Sequence, residues 1–408
     1  MRSGRAIFTG KLRSAACVFW SLGLAVLAFD FLSLPVFDWK ASASYFFFGA
    51  AALVTAWAEK REFGSRVAAY RLHDAVIYSP WRFLLLYFLW ISVFSPFTAR
   101  PLASLVYATN GWASLLAIAL AAQFIFSERT IHGIVLVPER LSMAFWSYCL
   151  SVSILLANVL LHLFAPNPVF PMLVNEQANL FLYFTLGLPY LLWDFLKDGR
   201  RLLPRWLSGT TVLMGAVTML LLNSRFYLAS IALTVAAVFG LFVFKKIRLR
   251  RALLLGGFIA GWGLAFGLLL LIAVEQYGYK HLLDLERFAL TERMRGNFVA
   301  AYDALRQTYG LGTGLGLTSL RGVWTRVLAE AGLVGFALYL AFFLNVLFDL
   351  YKVRRSKRVV VSNVSFISLA VFLLFVSFYV ENPYGAYVWV WYALWALFAS
   401  TAKKQRME

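Results

Sequence analysis

Residues 206–251 read WLSGTTVLMGAVTMLLLNSRFYLASIALTVAAVFGLFVFKKIRLRR. Two apolar runs, 206–222 and 226–244, are separated only by Asn223-Ser224-Arg225 and followed by a cluster of cations at 245–251. Each run has the length a helix needs to cross a bilayer, roughly 17 to 25 residues. A gap this short allows only a tight hairpin, so the stretch predicts two antiparallel membrane helices with Arg225 at their shared tip. Lys and Arg are retained on the cytoplasmic side, so the cluster at 245–251 places the tip outside.

The same reading extends along the chain. Its 408 residues are 62% hydrophobic and 14% charged, with a mean hydropathy of +0.74. A soluble domain carries about 25% charged residues, so the solvent for most of this surface is lipid. Apolar runs fall at 14–34, 43–58, 81–97, 102–126, 141–164, 178–196, 206–222, 226–244, 252–274, 324–350, 361–379 and 386–401. The expected fold is an all-α polytopic membrane protein of about twelve transmembrane helices, one integral-membrane domain over 1–408. The basic stretch Met1–Arg13 is followed by no clear small-residue cleavage site, so the first span is expected to remain as an anchor.

Cation placement sets the orientation. With both termini cytoplasmic, the inside segments 1–13, 59–80, 127–140, 197–205, 245–251, 351–360 and 402–408, together with Arg82, hold 28 of the 38 Lys and Arg. One span more or fewer would put several clusters on the wrong side. The net charge of +19 is therefore read as topology signal and contact with anionic lipid, not as a nucleic-acid surface. The longest loop, 275–323, lies outside between the ninth and tenth spans, yet carries six of the ten remaining cations. Positive charge on the translocated side runs against the usual bias, so it reads either as cations that something there needs or as a long loop that crosses regardless of its charge.

Within that loop, 282–308 reads as an amphipathic helix or helix pair with Leu285, Phe288, Phe298, Ala301 and Leu305 as its apolar side. Arg287, Arg293, Arg295 and Arg306 supply its cations. Next comes YGLGTGLGLTSL, with Gly310, Gly312, Gly314 and Gly316 at alternate positions. No strand precedes these glycines and no Gly-Lys-Ser/Thr follows, which excludes a nucleotide-binding loop and leaves a connector back to the membrane. Arg225 admits two readings, an interfacial snorkelling side chain or a planar fork for phosphate oxygens. Glu176 in VNEQANLF and Glu381 in YVENPYG are outer carboxylates, each equally readable as an exposed loop acid. Glu330 in LAEAGLVG falls within a span, where an acid is either functional or paired, here with Arg326 four residues earlier. The four histidines show no ligand spacing, and neither an Asp-x-Asp nor a nucleophile motif is present, so no metal or cofactor is expected.

Taken in order, Ser224-Arg225 at the outer end of a helix, Arg295 with Phe298, Gly310 to Gly316, and LAEAGLVG at 328–335 resemble the O-antigen ligase and polysaccharide polymerase (Wzy-type) superfamily. The stretch EQANLFLYF at 176–184 resembles an outer segment of its exopolysaccharide polymerases. The resemblance covers roughly residues 170–340. The ligases carry a histidine about nine residues before the Glu of the L-x-E-x-G block, where this chain has Arg321, so the sequence sits closer to the polymerases.

The resemblance implies a GT-C-like glycosyltransferase of the bacterial inner membrane. Its donor and acceptor would be glycans on undecaprenyl pyrophosphate at the periplasmic face, with a chain-length regulator or export component as partner. Arg225 and Arg295 would hold the pyrophosphate, and Arg293, Arg321, Arg326 and Arg287 would bind substrate. Glu176, then Glu381, would act as general base. Three other readings stay open: a ligase transferring polymer to lipid A core, a transporter or flippase of lipid-linked sugars, and a non-enzymatic export subunit.

Overall fold

A computed structural model describes residues 2–27, 33–36, 39–77, 79–130, 133–164, 177–196, 202–221, 225–244, 290–354, 360–374, 376–378 and 384–404. The described chain is nearly all helical. Its elements are α1 (Arg2–Leu27), β1 (Ser33–Val36), β2 (Trp39–Ser42), α2 (Ser44–Ile77), α3 (Trp81–Phe94), α4 (Pro101–Ala113), α5 (Ala121–Phe126), β3 (Ser127–Thr130) and β4 (Gly133–Leu136). There follow α6 (Pro138–Phe164), α7 (Gln177–Leu196), α8 (Arg205–Leu221), α9 (Arg225–Phe244), α10 (Leu290–Gln307), α11 (Val323–Arg354), α12 (Val360–Leu374) and α13 (Ala386–Lys404).

Among the described residues, four helices are long and apolar enough to cross a membrane: Thr9–Leu27, Pro101–Phe126, Pro138–His162 and Val323–Lys352. Shorter apolar helices cover Trp81–Phe97, Leu180–Leu196, Asn363–Phe378 and Ala386–Ser400. The chain is an all-α membrane protein. The two apolar runs flanking Asn223-Ser224 form helices that end at Leu221 and restart at Arg225; the connecting residues 222–224 lie outside the described residues. The expected ninth span, 252–274, and the loop residues up to 289 lie outside the described residues.

Three local features are added to the expected helices. The run predicted to continue to residue 34 gives way to an antiparallel hairpin, with Leu34 opposite Ala41 and Pro35 opposite Lys40. A second hairpin, Ser127–Thr130 with Gly133–Leu136, links α5 to α6. Between α4 and α5 the chain passes through a π-helical segment, Ser114–Leu120. There the indole of Trp20 donates to the carbonyl of Ile118 at 3.3 Å, and the Tyr45 and Ser114 hydroxyls pair at 2.7 Å. Such single-turn expansions re-aim backbone groups that a regular helix would bond to itself.

The core is organised around α13. Its sequence AYVWVWYALWALFAS is apolar on every side, and from Ala386 to Ala399 all residues but Tyr387 are buried. A helix apolar all round suits lipid or a protein core alike, and here its neighbours enclose it. Tyr392 shows why it fits there: its ring lies 5.1 Å from Phe343 of α11 and 5.8 Å from Phe372 of α12. Polar side chains then tie the helices, as expected where water is scarce. Trp395 donates to Ser368 at 3.1 Å, Ser368 donates to the carbonyl of Leu186 at 2.8 Å, and the Tyr339 and Tyr392 hydroxyls pair at 2.6 Å.

Candidate functional site

The glycine-rich segment that reads as a connector is an ordered structural element. Helix α11 breaks at Gly332, which has φ 69° and ψ −171°. In a straight helix the Leu333 amide would donate to Ala329. Here it donates to the carbonyl of Gly310 at 3.0 Å, while Thr313 N–H bonds the Ala329 carbonyl and Gly314 N–H the Glu330 carbonyl, both at 2.9 Å. The Ala331 carbonyl accepts from the indole of Trp90 on α3 at 3.0 Å. Carbonyls freed by the break are thus bonded by the glycine segment and α3, as buried backbone requires.

Gly312 and Gly332 make this crossing possible. A Cβ on Gly312, itself at φ 91°, would stand 2.5 Å from the Glu330 carbonyl oxygen, and one on Gly332 would collide with the carbonyl of Gly310. The segment also reaches α4, where Leu315 N–H donates to Ser104 at 3.2 Å. The glycine run and LAEAGLVG are therefore the two halves of one backbone junction.

Glu330 sits at this junction with its side chain fully buried. Its Oε1 accepts from Arg326 Nε at 3.0 Å, from the Thr318 hydroxyl at 2.9 Å and from the Thr318 amide at 3.2 Å. Its Oε2 has no hydrogen-bond partner among the described residues. The Arg326 guanidinium carbon lies 5.9 Å from the ring centre of Tyr384, whose hydroxyl pairs with that of Tyr87 at 3.2 Å. Burial, with Tyr87 and Glu330 nearby, pushes the Tyr384 hydroxyl well above its ordinary range, so it stays protonated. Of the two readings of Glu330, the geometry matches pairing with Arg326, and this pairing occupies Arg326, which was expected to bind substrate.

Above the junction, Asn297 of α10 donates to the carbonyl of Arg321 at 3.0 Å. This ties the turn carrying Arg293 and Arg295 to the start of α11. Arg295 and Arg321 are both exposed. Phe298, assigned by spacing to the apolar side of the helix, is 42% exposed, whereas Ala301 is buried and α10 packs on α11. The packing stripe passes through the small residue, which lets the two helices approach, and turns the larger ring outward.

Arg225 is the first residue of α9, and its side chain lies outside the described residues, as does that of Arg293 on α10. Glu176, Arg287 and Glu381 also lie outside them. Sequence reading missed Thr318, Tyr384, Tyr87 and Trp90, which reach the junction from distant or looped positions. Tyr384 alone carried a signal, since it stands in the same YVENPYG turn as Glu381. No protein-family model matches the chain, and no curated protein matches it.

Proposed function

We propose that the chain is a polysaccharide polymerase of the bacterial inner membrane, joining oligosaccharide repeats carried on undecaprenyl pyrophosphate at the periplasmic face. In this reading it has twelve spans with both termini cytoplasmic, and the 275–323 loop lies over the outer leaflet. An acceptor sugar hydroxyl attacks the anomeric carbon of the donor. The new glycosidic C–O bond forms as the bond to the pyrophosphate breaks. The acceptor proton passes to Glu176, with Glu381 as the second choice, and undecaprenyl pyrophosphate departs. Arg225 and Arg295 stabilise the charge that develops on the leaving group, assisted by Arg293 and Arg321. Fixed cations in a partly dehydrated site do this without a metal.

The observation that supports this reading is the Asn297–Arg321 hydrogen bond, which brings the turn carrying Arg293 and Arg295 to Arg321, two residues before α11 begins. The locked junction beneath gives that cluster a rigid base, as preorganised charge stabilisation needs.

The test is repeat polymerisation in cells carrying Arg225→Ala or Arg295→Ala at matched protein level. Losing one preorganised donor of this kind costs roughly 100-fold in rate, so each variant is expected to leave mostly single repeats. Full-length polymer in both variants would remove the arginine clamp.

A further inference from the structure

Helix α10 carries three stripes at helical spacing. Asn297, Ala301, Ala304 and Thr308 face the protein: Asn297 bonds the Arg321 carbonyl, Ala301 is buried, and Ala304 and Thr308 are partly covered. Gly296, Ala300, Asp303 and Gln307 form a small and polar stripe, all exposed. Arg295, Val299, Tyr302 and Arg306 form the third, with Phe298 beside it, and these are exposed as well. Large apolar side chains gathered on one outward side, with Tyr302 65% exposed, mark a surface that meets something.

The contact with α11 identifies what it meets. On that helix Leu333, Ala337, Leu344 and Phe348 are exposed at helical spacing, and α11 is long and apolar enough to cross the membrane, so this stripe faces lipid. Leu333 opens the spanning portion, directly after the break at Gly332. Its amide bonds the Gly310 carbonyl at 3.0 Å, and a Cβ on Gly310 would stand 3.3 Å from its Cδ1. Gly310 is flanked by Leu311, which is exposed, and by Tyr309, which is 95% exposed. Tyr309 has φ 52°, a left-handed conformation uncommon outside glycine, and its ring is turned away from the protein. Exposed apolar surface thus continues from the lipid face of α11, through Leu311 and Tyr309, to the end of α10.

A second element reaches the same level. A Cβ on Gly314 would stand 2.7 Å from Thr98, in the turn between α3 and α4. That turn exposes Phe97, Arg100 and Leu102. Aromatic and cationic side chains where two apolar helices reverse are the pattern of a bilayer surface.

We propose that α10 lies in the headgroup layer of the bilayer, at the Leu333 end of the spanning portion of α11. Phe298, Val299, Tyr302 and Tyr309 point toward the acyl chains, while Asp303 and Gln307 face water. Arg295 and Arg306 lay their apolar stems along the same stripe and reach back to lipid phosphates. Amphipathic helices that rest on membranes combine these features. The placement holds whichever reaction the chain carries out.

Spin labels on the full chain, in liposomes of phosphatidylethanolamine and phosphatidylglycerol, read the depth. Cys17 and Cys149, both buried, are changed to Ala so that each label is single. One set of labels replaces Val299, Tyr302 and Tyr309, and the other replaces Ala300, Asp303 and Gln307. All these side chains are exposed, so a label leaves the packing intact. In the first set, collisions with dissolved oxygen are expected to exceed those with a water-soluble nickel chelate several-fold. In the second set the nickel chelate should prevail. A photoactivatable phenylalanine at Tyr302, in the chain with both cysteines kept, should crosslink to lipid and makes the test independent of the cysteine changes. The same reading in both label sets would overturn the proposal. Nickel excess throughout would set the helix in water, its aromatic stripe left to a glycan or protein partner, and oxygen excess throughout would set it inside the bilayer. Absence of lipid crosslinks at Tyr302 would overturn it equally.

Discussion

Glu330 concentrates three hydrogen bonds on one buried carboxylate oxygen while its partner Arg326 is itself largely enclosed. Removing one member of such a pair leaves an uncompensated charge, which costs about 3–5 kcal/mol, whereas apolar replacement of both is often near neutral. Glu330→Ala should therefore lower the unfolding temperature in nanodiscs sharply. The double change Arg326→Met with Glu330→Leu should recover most of the loss. If the double variant is as unstable as the single one, the ion pair is not what Glu330 contributes. This pair was readable beforehand, because the two residues stand four apart on a predicted helix. Thr318 and Tyr384 were not, since a loop reversal and a separate helix bring them in. Phe298 was misassigned because spacing gives a stripe but not which part of it meets a neighbour.

At the scale of elements, the break in α11 is the feature that hydropathy hides. The run from residue 324 onward reads as one span, and the structure divides it at Gly332. The portion Leu333–Lys352 alone measures about 30 Å at 1.5 Å per residue, enough for the hydrocarbon core. The portion before the break is then available to bind the glycine segment. Alternating glycines were visible in the sequence, but their partner strand of carbonyls exists only once the helix opens. Gly332→Ala must either strain a left-handed residue against the Gly310 carbonyl or let α11 straighten and lose its bonds to Gly310, Thr313 and Gly314. A strained position of this kind costs of order 1–3 kcal/mol. Amide exchange at Thr313 and Gly314 should accelerate about tenfold or more, since 1.4 kcal/mol is a factor of ten. Unchanged protection there would mean that the junction tolerates a side chain.

For the whole molecule, the apolar runs were legible because lipid imposes one dominant rule, that backbone polar groups be satisfied within a helix. The short hairpins Ser33–Ser42 and Ser127–Leu136 escaped that rule because they are too short to show a hydropathy pattern. The candidate site was only partly legible. The order of Arg225, Arg295, the glycine run and LAEAGLVG pointed to outer-face chemistry; the structure bonds the glycine run to LAEAGLVG, and the Asn297–Arg321 bond ties the helix carrying Arg295 to the residues just after that run. The uniformly apolar sequence of α13 suits lipid or a core alike, so its enclosure, and which helices surround it, depend on contacts far apart in the chain.

Reconstitution tests the proposed activity directly. Purified protein in sealed proteoliposomes would be given undecaprenyl-pyrophosphate-linked repeat units from the parent cell, without nucleotide and with chelator present. The account predicts a ladder of lengthening glycans, with one free undecaprenyl pyrophosphate released for each linkage formed. Repeats that stay single while the same preparation moves them across the bilayer would contradict it and identify a transporter instead.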